Sequence, residues 1–280
     1  MTRLAQAFAA PKAGRAALIP YLTGGHPDLA TCHRLIDELV AAGADIVELG
    51  VPFSDPIADG PVVQRSTHQA LCAGVTPTDV LELAATHSSA VPFVLLTYLN
   101  TVLAYGPETF FARAASAGVE ALVIPDLPLD EAAGPTATLA AEAGGLAALA
   151  AAHSVALVPM ATPTSTDARL DLVAAAASAF VYCVSVTGVT GARQEVGAEL
   201  PDLIARLRAR TAAPLAVGFG ISTPEQAAHV AQLADGVIIG SALIDLVSRS
   251  QSPAAACAAV GDLMRAASAA IAAEAATIHE

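Results

Sequence analysis

Short runs of consecutive apolar residues recur along the whole chain, and turn-forming residues end each run. Because neighbouring side chains of a strand point to opposite faces, an apolar run without alternation predicts a strand that is buried on both faces. The runs predict eight such strands: Ala17–Leu22, Ile46–Leu49, Phe93–Thr97, Ala121–Ile124, Ala156–Pro159, Val181–Val184, Leu215–Val217 and Val237–Ile239.

Ala-rich segments with apolar residues at helical spacing separate these strands, as in Cys32–Ala42, Pro107–Ala117 and Pro224–Leu233. Two helix starts are well specified, Thr76–Asp79 and Thr223–Gln226, each with a capping hydroxyl, a proline at the first helical position and a side chain that can reach back. The pattern is a repeated strand and helix.

Three turns that lead into strands carry a glycine, and we expect Gly43, Gly118 and Gly236 to form left-handed helix caps there. Eight such units predict an α/β fold, a (β/α)8 TIM barrel of eight parallel strands, with residues 1–280 as one domain. An open doubly wound sheet would need a GxGxxG fingerprint after its first strand, which Gly24-Gly25 does not match.

The charge balance argues against a nucleic-acid surface. Thirteen Lys and Arg stand against 26 Asp and Glu, a net charge of −13, and the basic residues are scattered. A phosphate ligand would therefore have to be held by backbone N–H groups and helix N-termini. We also expect no membrane span, because the most apolar window, Ala140–Ala161, contains Glu142, two glycines and Pro159 and divides into a helix and a strand.

The cysteines and histidines favour neither a disulfide framework nor a metal site. Cys32, Cys72, Cys183 and Cys257 lie far apart without metal-binding spacing, and the seven histidines are dispersed. No export signal is evident at the N-terminus. We expect a cytoplasmic protein with reduced thiols and without a metal ion.

The second predicted strand carries an acid, Glu48, among aliphatic neighbours, where burial disfavours the ionised form. The stiff loop that follows could hold Asp59 over the barrel mouth near Glu48. Two carboxylates in contrasting settings suit proton transfer. The alternative is that Glu48 is a paired internal carboxylate and Asp59 only forms a turn.

Glycines follow the last two predicted strands, in Gly218–Ser222 and Gly240–Ala242, just before helix starts. In barrels of this class such loops bind phosphate, although tight turns alone would also explain them. The loop Thr187–Gly197 after the sixth predicted strand is interpreted as a lid, with a plain surface loop as the alternative. The Tyr182 side chain, within the sixth predicted strand, either faces the barrel interior or only packs in the core.

Several segments in the same order closely resemble the tryptophan synthase alpha chain family over almost the whole chain. They are Glu48–Pro56, Ala58–Pro61, Thr187–Gly191, Gly218–Ile221 and Gly240–Ala242, of which the first is the most specific. The resemblance implies cleavage of indole-3-glycerol phosphate to indole and D-glyceraldehyde 3-phosphate by a retro-aldol reaction, without metal or organic cofactor. It also implies that the indole passes to a beta chain for L-tryptophan synthesis.

At matching positions the resemblance assigns a role to each candidate residue. Glu48 would be the acid and base at the indole C3 carbon, and Asp59 would bind the indole N–H and stabilise positive charge. Thr190 would hold Asp59 when the lid closes. The remaining assignments are an indole pocket walled by Tyr21, Leu96, Leu122 and Tyr182, and a phosphate cradle of Gly191, Gly220, Gly240 and Ser241.

The resemblance also implies a partner, the beta chain, in an alpha2beta2 complex, with Asp55, Pro56 and the segment Tyr98-Leu99-Asn100 at the shared face. Thr101 and Gly25-His26-Pro27 depart from the usual pattern of the family, which concerns the fit to the partner and loop geometry rather than the chemistry. Two alternatives remain: a stand-alone lyase that releases indole, and a catalytically silent barrel that binds a partner. An isomerase or synthase is less favoured because Lys12 is the only lysine.

Overall fold

A computed structural model describes residues 2–9, 15–127, 129, 139–184, 199–218 and 220–278. Within these ranges all strands belong to one parallel sheet with the order β5-β4-β3-β2-β1-β9-β8-β7-β6. The strands are β1 Ala17–Thr23, β2 Val47–Gly50, β3 Phe93–Leu96, β4 Val119–Val123, β5 Ala156–Val158, β6 Met160–Ala161, β7 Val181–Val184, β8 Leu215–Gly218 and β9 Gly236–Ile239.

Helices alternate with the strands and surround the sheet. They are α1 Arg3–Ala9, α2 Leu29–Ala41, α3 Pro61–Cys72, α4 Pro77–His87, α5 Leu99–Tyr105, α6 Pro107–Ser116, α7 Leu139–Ala152, α8 Asp167–Ala176, α9 Leu200–Arg208, α10 Pro224–Ala231, α11 Ser241–Arg249 and α12 Pro253–Ile278. The predicted TIM barrel is confirmed, and each of the eight predicted strands is present. The assignment of residues 1–280 to a single domain stays a prediction.

The predicted fifth strand is present as β5, and a short strand that was not predicted, β6, follows it and closes the barrel. β5 pairs with β4 and β6 pairs with β7, and Pro159 lies between the two strands. A proline carries no N–H group to donate to a ladder. Its carbonyl still accepts a hydrogen bond from Tyr182 N at 2.9 Å, so this one segment joins the two ends of the sheet.

The predicted helix starts and two of the three predicted glycine caps are confirmed. Capping boxes form at both Thr76 and Thr223, and Gly43 and Gly118 have φ of +95° and +76°. The prediction for Gly236 was wrong, because Gly236 is the first residue of β9. A Cβ on Gly236 would lie 3.0 Å from Phe8 and 3.1 Å from Ile19, so close packing rather than a turn requires glycine there.

Ser154, in the turn between α7 and β5, has φ +58°, a left-handed conformation that costs a residue with a Cβ about 1 kcal/mol. We expect Ser154→Gly to raise the free energy of unfolding by about 0.5 to 1 kcal/mol, measured by urea denaturation. Gly118→Ala is the opposite control, because its Cβ would lie 2.5 Å from Ser88 at a φ of +76°. A destabilised Ser154→Gly would contradict the expectation.

The C-terminal helix α12 is long and apolar enough to cross a membrane by length and composition alone. In the fold it packs against α2, α10 and α11, with Val260, Met264 and Ile271 among its buried residues. Arg265 on its surface forms an ion pair with Glu38 of α2 at 2.7 Å. The helix therefore completes the outer layer of the barrel.

Candidate active site at the barrel mouth

A cavity opens where the barrel strands end, the face that carries the chemistry in TIM barrels. Its walls come from β1, β3, β7, the loop after β2 and the segments that follow β8 and β9. The residues that line it are Tyr21, Asp59, Gly60, Val63, Leu96, Tyr182, Gly220, Ile221, Ile238, Gly240 and Ser241. Seven of them are site residues suggested by the sequence: Tyr21, Asp59, Leu96, Tyr182, Gly220, Gly240 and Ser241.

Glu48 lies in β2 beside Tyr21 of β1, and the two residues are partners in the strand register. Its side chain is 1% exposed, and neither carboxylate oxygen has a hydrogen-bond partner among the described residues. Burial, with a smaller contribution from the charge of Asp59, raises the pKa of Glu48 to about 8. The carboxyl group is therefore protonated at neutral pH.

Asp59 stands in the loop between β2 and α3 and is 9% exposed. Burial raises its pKa to about 6, and interaction with the Tyr98 hydroxyl opposes the rise. The backbone around it is tied down, because Asp59 N donates to Pro56 O at 3.1 Å and Gln64 Nε2 donates to Asp59 O at 2.8 Å. The two carboxyl groups thus hold different protonation states at neutral pH.

Tyr98, just after β3, contacts this loop through its hydroxyl group and its ring. Its hydroxyl accepts a hydrogen bond from Ala58 N at 3.1 Å, and its ring stacks on Phe53 with centroids 5.1 Å apart. Sequence reasoning placed Tyr98 only near the partner face and missed its contact with the Asp59 loop. No short-range pattern joins residues 40 positions apart, so only the fold reveals the contact.

Two glycines make room for the two tyrosines of the cavity. A Cβ on Gly50 in β2 would lie 2.1 Å from Tyr21 Oη, and a Cβ on Gly218 in β8 would lie 2.5 Å from Tyr182 Oη. In each case the tyrosine leans across the neighbouring strand toward the cavity. Gly50 was noted only as part of a motif, and its steric role was not predicted.

The structure does not bring Leu122 to this cavity. Leu96, which lines the cavity, pairs in register with Val123, whereas Leu122 pairs with Leu95 and Leu157. Side chains one residue apart on a strand point to opposite faces, so Val123 shares the interior face with Leu96 and Leu122 points outward. Leu122 instead lines a separate apolar cavity that also involves residues of α7 and α8.

The glycine segments suggested as a phosphate site meet at one side of the mouth. Gly220 and Ile221 follow β8, and Gly240 and Ser241 follow β9. Helix α11 begins at Ser241, and its N-cap, Gly240, provides no side-chain cap. Its first N–H groups are thus left for another acceptor, which suits an anion.

The remaining predicted residues lie at the rim or outside the described ranges. Asp55 and Asn100 are exposed and Pro56 is partly buried. The whole loop Thr187–Gly197 that is interpreted as a lid, with Thr190 and Gly191, lies outside the described residues. Within the described ranges, no group of three or more His, Cys, Asp or Glu side chains is arranged to hold a metal ion.

Asp59 lines the cavity, and Glu48 lies behind its wall as the register partner of Tyr21 and within reach of the charge of Asp59. A closed parallel barrel with these two buried carboxyl groups and an uncapped helix start at the strand ends defines an α/β-barrel enzyme. The sequence model of the family "Tryptophan synthase alpha chain" matches residues 8–272. The chain belongs to the tryptophan synthase alpha chain family.

Individual relatives agree with this assignment. The tryptophan synthase alpha chain of Chloroflexus aurantiacus is 48% identical over 89% of this chain and 91% of the relative. That of Carboxydothermus hydrogenoformans is 44% identical over 88% of this chain and 90% of the relative. A solved structure of Mycobacterium tuberculosis tryptophan synthase superposes with a TM-score of 0.85 at 36% identity, over 96% of this chain and 98% of that chain.

Proposed function

We propose that this chain is a lyase that cleaves indole-3-glycerol phosphate into indole and D-glyceraldehyde 3-phosphate. The observation that carries the proposal is the pair of carboxyl groups at the barrel mouth, of which Glu48 holds its proton to about pH 8 and Asp59 to about pH 6. At neutral pH this pair offers one acid and one anion. The tryptophan synthase alpha chains among its relatives support the same reaction.

Glu48 acts first as the acid in this proposal and gives its proton to the indole C3 carbon. The bond between C3 and the glycerol side chain then breaks, and its electron pair returns to the indole ring. The adjacent hydroxyl loses its proton to the Glu48 carboxylate and becomes the aldehyde of glyceraldehyde 3-phosphate. Glu48 ends in its starting state, so the step needs no cofactor.

Asp59 supplies the negative charge in this proposal. When C3 of the indole is protonated, positive charge develops at the ring nitrogen, and a carboxylate that accepts the N–H hydrogen bond stabilises it. A pKa of about 6 leaves Asp59 ionised at neutral pH, as this role requires. Thr190 would hold Asp59 in the closed enzyme, an assignment that rests on the family resemblance alone.

The rest of the cavity suits the two ends of the substrate. Gly220, Gly240 and Ser241 lie where α11 begins, and we propose that they hold the phosphate together with Gly191. Tyr21, Leu96 and Tyr182 wall the indole end, with Val123 on the interior face that Leu122 does not reach.

The experiment that tests the function is indole release from indole-3-glycerol phosphate by the purified chain, with and without a tryptophan synthase beta chain. We expect slow release alone and faster release with the beta chain. Equal rates in both conditions would favour a stand-alone lyase. No release even with the beta chain would overturn the proposal and favour a silent binding partner.

We propose the beta chain as partner, in an alpha2beta2 complex in the cytoplasm. All four cysteines are free thiols, which fits a reducing compartment. Ile57 lies between Pro56 and Ala58 on the same loop as Asp55 and is 81% exposed, the large hydrophobic side chain that stands out among the described residues. A rigid loop with an exposed aliphatic tip is suited to enter a pocket of a partner.

Ile57→Asp is expected to weaken beta-chain binding about 100-fold, because it places a charge in a contact that excludes water. Binding is measured by calorimetry, and indole release by the isolated chain serves as the control for folding. The control is Ser54→Asp, which adds a charge to the same loop at an exposed residue without removing the apolar side chain of Ile57. Leu246→Asp would not serve as a control, because Leu246 packs against the core. Equal binding by Ile57→Asp and the parent would contradict the assignment.

A further inference from the structure

Two buried hydroxyl groups join β1 to α3 behind the cavity. Thr23 Oγ1 lies 2.7 Å from Ser66 Oγ, and the two residues are 0% and 1% exposed. Ser66 Oγ also donates to Val63 O at 2.8 Å. Burying a hydroxyl group is unfavourable unless it is hydrogen-bonded, so the loss of either side chain leaves the other with an unsatisfied buried group.

The direction of the hydrogen bonds follows from counting protons. The single proton of Ser66 goes to Val63 O, so Thr23 must donate to Ser66. Thr23 lies two residues after Tyr21 on β1, and its side chain interacts with the Tyr21 hydroxyl. The hydrogen bonds therefore run from Thr23 of β1, beside Tyr21, through Ser66 to the backbone of α3.

This relay ends at the first turn of α3, next to the candidate carboxylate Asp59. Val63 and Gly60 line the cavity, and Gln64 of the same turn donates to Asp59 O at 2.8 Å. Tyr21, at the other end, lines the cavity beside Glu48. A displacement of α3 against β1 would therefore move Asp59 relative to Glu48 and Tyr21.

We propose that Thr23 and Ser66 are positioning residues that fix Tyr21 and the first turn of α3, and with it Asp59, across the mouth of the barrel. The proposal rests on the lyase function proposed above. Neither side chain lines the cavity, so both act through their neighbours. An apolar pair could fill the same space, but only the hydrogen bonds fix direction and distance.

Thr97 offers a matched control. It lies at the end of β3 as Thr23 lies at the end of β1, it is 0% exposed, and its Oγ1 has no hydrogen-bond partner in the described part of the chain. Replacing either threonine with valine removes one hydroxyl at almost constant volume. Only Thr23→Val breaks a relay.

The experiment compares Thr23→Val, Ser66→Ala, Thr23→Ser and Thr97→Val with the parent. We expect the first two to lower kcat about 10-fold with a smaller change in KM, because a displaced Asp59 weakens stabilisation of the charge that develops in the reaction more than it weakens substrate binding. Thr23→Ser should recover most of the activity, and Thr97→Val should retain it. The double variant should be no worse than either single variant, since the two residues act as one unit.

A second measurement does not depend on activity. Carbon-13 NMR titration of Asp59 should show its pKa falling by about 1 in Thr23→Val and Ser66→Ala, because a loosened turn admits water and burial is the main cause of the raised value. An unchanged pKa and kcat, or equal changes in Thr97→Val, would overturn the proposal. A shifted pKa in a chain without lyase activity would support the relay and reject the proposed function.

Discussion

Glu48→Gln is expected to reduce indole release about 1000-fold, because the amide can neither give a proton to the indole C3 carbon nor accept one from the hydroxyl. The amide has nearly the same shape as the carboxyl group, so the cavity and the binding of substrate should change little. The reduction should therefore appear in kcat. Single-turnover assays at saturating substrate measure it directly.

The same variant is expected to be more stable than the parent at alkaline pH. Burial raises the pKa of Glu48 from an ordinary 4.5 to about 8, so folding favours the protonated form. The stability that this carboxyl group contributes is fully present below pH 4.5 and is lost as the pH rises through 8. Glutamine cannot ionise, so Glu48→Gln should exceed the parent by about 4 to 5 kcal/mol at pH 9, with the difference shrinking toward pH 4.5.

Glu120→Gln is the matched control, since Glu120 also stands in a barrel strand but toward the opposite end. Its Oε2 accepts a hydrogen bond from Leu4 N at 2.8 Å, which an amide oxygen can still accept. Its activity and the pH dependence of its stability should follow the parent. If Glu48→Gln kept more than a tenth of the activity, or showed no alkaline gain in stability, Glu48 would not be the buried acid of the reaction.

The sequence predicted the strands and the burial of Glu48 because both depend on local contrast. The sequence of a barrel strand buried on both faces is an unbroken apolar run, and Glu48 is a charged residue within such a run. The same uniformity explains why the sequence could not separate Leu122 from Val123 as the residue that faces the interior. Where neighbouring residues are all apolar, nothing in the sequence tells which of them point into the barrel. Only the register, in which Val123 pairs with Leu96, assigns Val123 to the interior face.

The contacts that hold the site in place were beyond sequence reasoning for a different reason. Tyr98 meets Ala58 across 40 positions and Thr23 meets Ser66 across 43, through hydroxyl groups that are ordinary in composition. Such contacts depend on how the strands and helices pack together. Gly236 shows the converse error, because a glycine that looked like a turn residue is required by the packing of Phe8 and Ile19.

Gly50→Ala is expected to lower the free energy of unfolding by about 3 kcal/mol, the upper range for overpacking a core. The new Cβ would lie 2.1 Å from Tyr21 Oη and 2.7 Å from Tyr21 Cζ, both far inside contact distance. Gly50 does not have a positive φ, so backbone strain adds nothing and the effect is purely steric. Since Tyr21 lines the cavity, displacement of its ring should also reduce kcat about 10-fold.

A second substitution can test that cause. Tyr21→Phe removes only the hydroxyl and should restore part of the stability of Gly50→Ala, because Cζ would still be 2.7 Å from the new methyl group. Tyr21→Leu, which removes the whole clash, should restore most of it.

Tyr182 leans on Gly218 in the same way on the other half of the barrel, so Tyr182→Leu should rescue Gly218→Ala but not Gly50→Ala. Urea denaturation of the five single variants and four combinations measures these couplings. Equal rescue by either tyrosine would mean that general loosening, rather than one contact, sets the requirement for glycine.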